Sequence, residues 1–297
     1  MRHRLLPLLC LFSSLGLVGQ TDLDVLKNKI QQRLSSVEGV FAVAYKDLKT
    51  GKTLFVNEKE PFHAASTMKT PVMIEVYKQA RAGKFALSDS ILVKNEFKSI
   101  VDGSPFRLDL ADDSADGMYR KIGQKMTIYD LTYQMITVSS NLATNVLIEL
   151  VGAANANATM RSYGARDIQV LRGVEDDKAY EKGLNNSVTA YDLLLIFEKI
   201  ARKKAVGKRA SKAMIGILAD QRFNEIIPAH LPKGAKVAHK TGSITGVQHD
   251  SGIVYLPDGR RYVLVLLSKK LTDAKAGVRV LAEVSGMIYE GTAVPKK

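Results

Sequence analysis

Apolar residues recur at helical spacing near both ends of the chain, and apolar runs suited to strands lie just inside them. Over residues 22–36, Leu23, Leu26, Ile30 and Leu34 share one helical face, with Thr21 or Asp22 placed to cap it. Gly39 opens VFAVAYKDL, a polar turn follows at residues 49–52, and TLFVN completes a predicted β-hairpin over 40–57. From about 66 to 230 the pattern is helical, broken by loops. The strand signal then returns in AKVAHK, and again in SGIVYL and RRYVLVLLS, which flank the turn Pro257-Asp258-Gly259. Val278, Leu281, Val284 and Ile288 define a last helix over roughly 272–289. Hairpins require antiparallel pairing. The economical fold is therefore α+β, an α/β sandwich. One antiparallel sheet is drawn from both chain ends and covered by the terminal helices, and an all-helical sub-domain is inserted. The expected division is 21–65 with 205–297 for the sheet and 66–204 for the helices.

Residues 1–20 stand apart. Arg2, His3 and Arg4 precede an apolar stretch over 5–18, too short to span a bilayer comfortably and laid out like a secretory leader. A buried N-terminal helix is the alternative. Cleavage near Gln20 would remove Cys10, the only cysteine, so neither an internal disulfide nor a cysteine metal site is expected. The expected location is outside the cytoplasm, periplasmic or secreted, with no stable membrane insertion after the leader is removed.

The 297 residues are 46% hydrophobic and 25% charged, which excludes disorder or coiled coil for the whole chain. The formal charge is +13, and losing Arg2 and Arg4 leaves +11, which suits an anionic substrate or cell-wall polymer. Nucleic acid fits poorly. There is no Trp, and basic residues cluster only at Arg202-Lys203-Lys204 and Lys208-Arg209. The acidic run of Asp109, Asp112, Asp113, Asp116 and Gly117 begins like a calcium loop. Its twelfth position from Asp112 would be Gly123, where that loop needs glutamate. His63, His230, His239 and His249 lack zinc-site spacing, and His239 reads as packing.

Three short motifs carry the candidate chemistry. Ser66-Thr67-Met68-Lys69 opens a helical stretch, and residues three apart share a helix face. A buried lysine there could take the proton of the Ser66 hydroxyl. Pro71 is compatible with a helix only in its first turn. Ser139-Ser140-Asn141 sits at a polar corner between two helical runs. Lys240-Thr241-Gly242, followed by Ser243, ends the strand AKVAHK. Each alone has a plain reading: a cap with a surface lysine, a helix end with the next cap, and a strand end with a turn.

Together and in this order, Ser-x-x-Lys, Ser-x-Asn and Lys-Thr-Gly form the signature set of class A β-lactamases and penicillin-binding proteins. Across the mature length the chain resembles a class A serine β-lactamase. The aspartate usual between Ser and Asn is Ser140 here. The resemblance implies Ser66 as acylated nucleophile, Lys69 as its proton acceptor and Ser139 as relay to the leaving nitrogen. It implies Asn141 on the substrate amide, and Lys240, Thr241 and Ser243 on the substrate carboxylate. Gly242 would allow close approach, and the N–H groups of Ser66 and Ser243 would form an oxyanion hole. Glu181-Lys182-Gly183-Leu184-Asn185 matches the family's Glu-x-x-Leu-Asn segment, implying Glu181 as deacylating base and Asn185 as the amide that orients water. Only Asn186, Ser187 and Val188 then precede the next helix, a shorter stretch than most members have, and Glu175 is the alternative base. Carboxylate help is left open among Arg222, Arg260 and Arg261. The expected partner is a small β-lactam, bound by a monomer without metal or cofactor. A DD-peptidase of cell-wall peptides and a non-catalytic β-lactam sensor are the alternatives.

Overall fold

The computed structural model describes residues 15–113 and 115–292. Five strands make the main sheet: β1 (Val40–Asp47), β2 (Thr53–Val56), β3 (Lys236–Ile244), β4 (Val247–Tyr255) and β5 (Arg261–Lys269). Their spatial order is β2-β1-β5-β4-β3, antiparallel throughout. β1 and β5 join the two ends of the chain along a full register, Val40 opposite Lys269 through Asp47 opposite Tyr262.

The helices in chain order are α1 (Leu15–Leu34), α2 (Lys69–Arg81), α3 (Asp116–Tyr119), α4 (Ile128–Thr137), α5 (Asn141–Val151), α6 (Ala153–Ser162), α7 (Asp177–Glu181), α8 (Ala190–Ala201), α9 (Lys208–Ala219) and α10 (Ala274–Gly291). α1 begins earlier than its apolar spacing predicts, so Thr21 and Asp22 lie inside the helix instead of capping it. The leader expected over 1–20 falls mostly outside the described residues. Among the described residues no helix is long and apolar enough to cross a membrane.

Strand alternation decides which side each residue buries. Phe41, Val43, Tyr45, Tyr262, Leu264 and Leu266 face one core, closed by Leu23, Leu26 and Ile30 of α1 and Val280, Leu281 and Ile288 of α10. Ala42, Ala44, Val263, Val265 and Leu267 face the other core, shared with α2, α4, α5 and α8. Two-residue strands in and just before the mainly helical region escaped the sequence reading. Phe62–His63 pairs with Ser187–Val188, and Phe97–Lys98 pairs with Pro105–Phe106. The first pair, with the bridge between Gln169 and Ser187, closes the base of a loop over residues 170–186.

Candidate active site

Ser66 lies in a 3₁₀ turn, Ala65–Met68, that runs straight into α2 at Lys69. Pro71 falls in the first turn of α2, where its missing N–H costs nothing. The turn is held from outside: Ala65 N–H donates to His63 Nδ1 at 3.0 Å, and Thr67 Oγ1 donates to Ala64 O at 2.6 Å. Gly242 on β3 comes so close to the turn that a Cβ there would sit 3.1 Å from Ser66 N and 3.2 Å from Thr67 N. A side chain here would push the strand and the turn apart by a few tenths of an ångström, which favours glycine.

Lys69 is fully buried. Its Nζ donates to Ser139 O at 2.7 Å, Asn141 Oδ1 at 2.8 Å and Ser139 Oγ at 3.2 Å. Burial pulls its pKa down to about 7, against the opposing pull of the Asp113 and Glu175 carboxylates. Lys240, also fully buried, donates to Ser139 Oγ at 3.0 Å and to Thr241 O at 2.9 Å. Burial and the neighbouring Lys69 charge hold it well below the ordinary lysine range, opposed by Asp250. One hydroxyl, Ser139 Oγ, therefore touches both lysines.

Asn141 continues the chain of contacts. Its Nδ2 donates to Glu175 Oε1 at 2.7 Å, and Glu175 Oε2 accepts Asp109 N–H at 3.1 Å. Asn145 on α5 fixes the backbone just before that carboxylate, accepting Val174 N–H at 2.7 Å and donating to Val174 O at 3.0 Å. Ala65, Ser139 and Glu175 all have positive φ (44°, 59° and 59°), a conformation that side chains rarely adopt. Strain of this kind at three residues lining one cleft is the signature of a site whose geometry is imposed by its surroundings.

The cleft, about 820 Å³, is lined by Ser66, Ser139, Asn141, Glu175, Thr241, Gly242 and Ser243, together with His63, Arg172 and Gln248. Four residues singled out from the sequence are not among those lining it: the fully buried Lys69 and Lys240, and Glu181 and Asn185. Glu181 ends the short helix α7 and is exposed. Asn185 Oδ1 accepts from Arg172 Nη2 at 2.9 Å, which turns the amide to the base of the loop. The turn of helix at 177–181 places position 181 outside, whereas Glu175, at positive φ, lines the cleft. The next residue after Asn185, Asn186, closes the loop, accepting from Leu171 N and Arg172 N and donating to Arg172 O.

The arginines also differ from expectation. Arg260 is tied to Asp258 and Thr292 O at the far turn of the sheet, Arg222 lines a separate hollow with Tyr133 and Asp220, and Arg261 opens β5 at its exposed end. Arg172 does line the cleft, yet its guanidinium is bound by Leu184 O, Gly173 O and Asn185. The cleft side of the β3–β4 hairpin instead carries Gln248, whose Nε2 donates to Ser243 Oγ at 2.9 Å. His239 does more than pack: its Nδ1 meets Asp250 at 2.8 Å inside the protein.

The family model described as the Beta-lactamase enzyme family matches residues 25–292. The extended-spectrum β-lactamase PER-1 of Pseudomonas aeruginosa is 24% identical over 94% of this chain and 90% of its own. A β-lactamase structure from Sphaerobacter thermophilus superposes with a TM-score of 0.75 at 26% identity, covering 93% of this chain and 99% of that one. The structure of a PBP-A mutant, an acyl-enzyme complex with penicillin G, gives a TM-score of 0.77 at 29% identity, covering 90% and 96%. With the family model spanning nearly all of the described residues, the chain belongs to the β-lactamase enzyme family.

Proposed function

We propose that the protein is an exported serine β-lactamase that opens the β-lactam amide through an acyl-enzyme on Ser66. The observation that carries this reading is one line of contacts inside one cleft: Lys240 to Ser139, Ser139 to Lys69, Lys69 to Asn141, Asn141 to Glu175. It supplies a base for each half of the reaction. Export rests on the basic–apolar layout of residues 1–20.

In the first half, Lys69 in its neutral form takes the Ser66 proton as Ser66 Oγ bonds to the lactam carbonyl carbon. A pKa of about 7 leaves a large neutral fraction at physiological pH. The N–H groups of Ser66 and Ser243 face the developing oxyanion. As the C–N bond breaks, the Ser139 hydroxyl passes its proton to the leaving nitrogen and is resupplied by Lys69. Lys240, Thr241 and Ser243 receive the substrate carboxylate, with Gln248 beside them, and Asn141 positions the substrate amide. In the second half, Glu175 accepts a proton from water as the water oxygen adds to the ester carbonyl. The C–O bond to Ser66 then breaks, and the serine regains its proton. Glu175 takes the role the sequence motif gave to Glu181.

The test is intact-mass spectrometry of the protein mixed with a penicillin. Transient mass gain on Ser66, return to the free mass and hydrolysed product are expected, and Ser66→Ala should abolish the gain. A lasting adduct on the wild type would replace hydrolysis by the DD-peptidase or sensor reading. Labelling that survives Ser66→Ala would overturn the nucleophile.

A further inference from the structure

Helix α5 starts at the corner that carries Ser139 and Asn141, and its first N–H groups are shared between two residues. Ser140 Oγ accepts from Ala143 N at 3.2 Å, while Leu142 N donates to Asp113 Oδ2 at 2.9 Å. The Ser140 hydroxyl itself donates to the same Asp113 oxygen at 3.3 Å, and Asp113 Oδ1 accepts Ala115 N–H at 3.0 Å. An aspartate at position 140 would be placed to offer both functions, a cap and a negative charge at the positive end of the helix. Here a serine supplies the cap and a carboxylate from a distant loop supplies the charge. Asp113 is 9% exposed, so the charge acts with little screening by solvent. The same loop reaches the other side of the cleft, where Asp109 N–H donates to Glu175.

We propose that Asp113 is a positioning residue for the reaction: its carboxylate, delivered to the start of α5 from the 109–113 loop, holds the Ser139–Asn141 corner in place of an aspartate at position 140. The inference rests on the reading of Ser66 and Lys69 given above. The corner needs such a hold, because Ser139 sits at φ 59° with its hydroxyl between two lysines. The Asp113 charge also reaches Lys69, where Asp113 and Glu175 favour the ammonium against burial.

Relocating the charge tests this. Asp113→Asn keeps the shape and loses the charge. Ser140→Asp in that background restores a carboxylate at the same helix end. Three readouts are compared: the rate of penicillin acylation at the pH plateau, the titration of Lys69 in ¹³Cε-lysine NMR (assigned with Lys69→Arg), and the melting temperature. Asp113→Asn should slow acylation by about tenfold or more, move the Lys69 titration to lower pH and lower the melting temperature. The double variant should recover all three. Unchanged acylation and titration with only a lower melting temperature would overturn the proposal, leaving Asp113 a structural brace. Failure of the double variant to recover would also overturn it. Should Asp113→Asn not fold, the double variant decides: wild-type acylation and Lys69 titration support the proposal, while slowed acylation, a shifted titration or failure to fold overturns it. Should the wild type take no penicillin at all, the hydrolase reading falls. The titration and melting arms then still decide whether the carboxylate holds the corner.

Discussion

Replacing Glu175 by glutamine separates the two halves of the proposed reaction. The amide oxygen of the new side chain can still accept Asn141 Nδ2, the 2.7 Å contact, so the central link survives. The amide nitrogen would face Asp109 N–H, donor against donor, in place of the 3.1 Å contact. Losing one such hydrogen bond to a carboxylate costs about 1.5–3 kcal/mol. Losing a general base costs about 10²–10⁴ in rate, or about 2.7–5.4 kcal/mol of barrier. The lost hydrogen bond is read in stability and the lost base in the deacylation rate, so the two effects are measured separately. Acylation should persist. Removing one of the two carboxylates that favour protonated Lys69 lowers its pKa further, so acylation below neutrality is, if anything, faster. The assay is a quenched time course with penicillin read by intact mass, with Glu181→Gln as the control on the exposed end of α7. Glu175→Gln should accumulate the Ser66 adduct with its half-life extended at least about 100-fold, the lower end expected for a lost base, and Glu181→Gln should behave as wild type. An adduct that clears from Glu175→Gln at the wild-type rate, or builds up in Glu181→Gln, would refute the assignment of the base.

Three other outcomes are expected. Because only neutral Lys69 accepts a proton, the acylation rate of the wild type should rise with pH through about 7 and then level, as measured by stopped-flow at saturating substrate; a limb near the ordinary lysine value of about 10 would contradict the buried geometry. Gly173→Ala places a Cβ 2.3 Å from Asn145 Oδ1, so the amide must swing away from Val174; a loss of about 1–3 kcal/mol in denaturant melts and a larger slowing of deacylation than of acylation should follow. Gln248→Arg sets a guanidinium beside Ser243; KM for a penicillin should fall about tenfold, while KM for its methyl ester stays unchanged, as read by spectrophotometric hydrolysis.

The terminal helices were legible because each buries one face at helical spacing, and the main strands because, buried on both faces, they read as short apolar runs bounded by turns. The three motifs were legible because their chemistry is local: Lys69 follows Ser66 by a turn, Asn141 follows Ser139 by two residues, and Gly242 follows Lys240 by two. The placement of the two candidate carboxylates was not, since five matching letters fix no backbone. The helical turn at 177–181 carries Glu181 away, and the bonds of Asn145 and Asn141 draw Glu175 in. Asp113 was equally hidden. Its acidic run looked like a failed cation loop, and only the tertiary contact with Leu142 N reveals its use. The short cross-strand pairs at 62–63 and 187–188 left no periodicity to detect, because two residues are fewer than any pattern needs.

The joining of β1 to β5 sets the order in which the molecule can be assembled. β1 gains a local partner in β2, but its other edge waits for residues 261–269, more than two hundred positions downstream. The core beneath that sheet is likewise completed only by α10. Loop closure over such a span must precede the contacts that reward it, which slows folding. A nascent chain emerging from the ribosome therefore holds an unfinished sheet until almost its whole length has been made. Under the export proposed above, this delay keeps the chain transportable before it folds. It also means that truncation anywhere before residue 269 should leave a hairpin with an open hydrophobic edge, a target for proteases and chaperones.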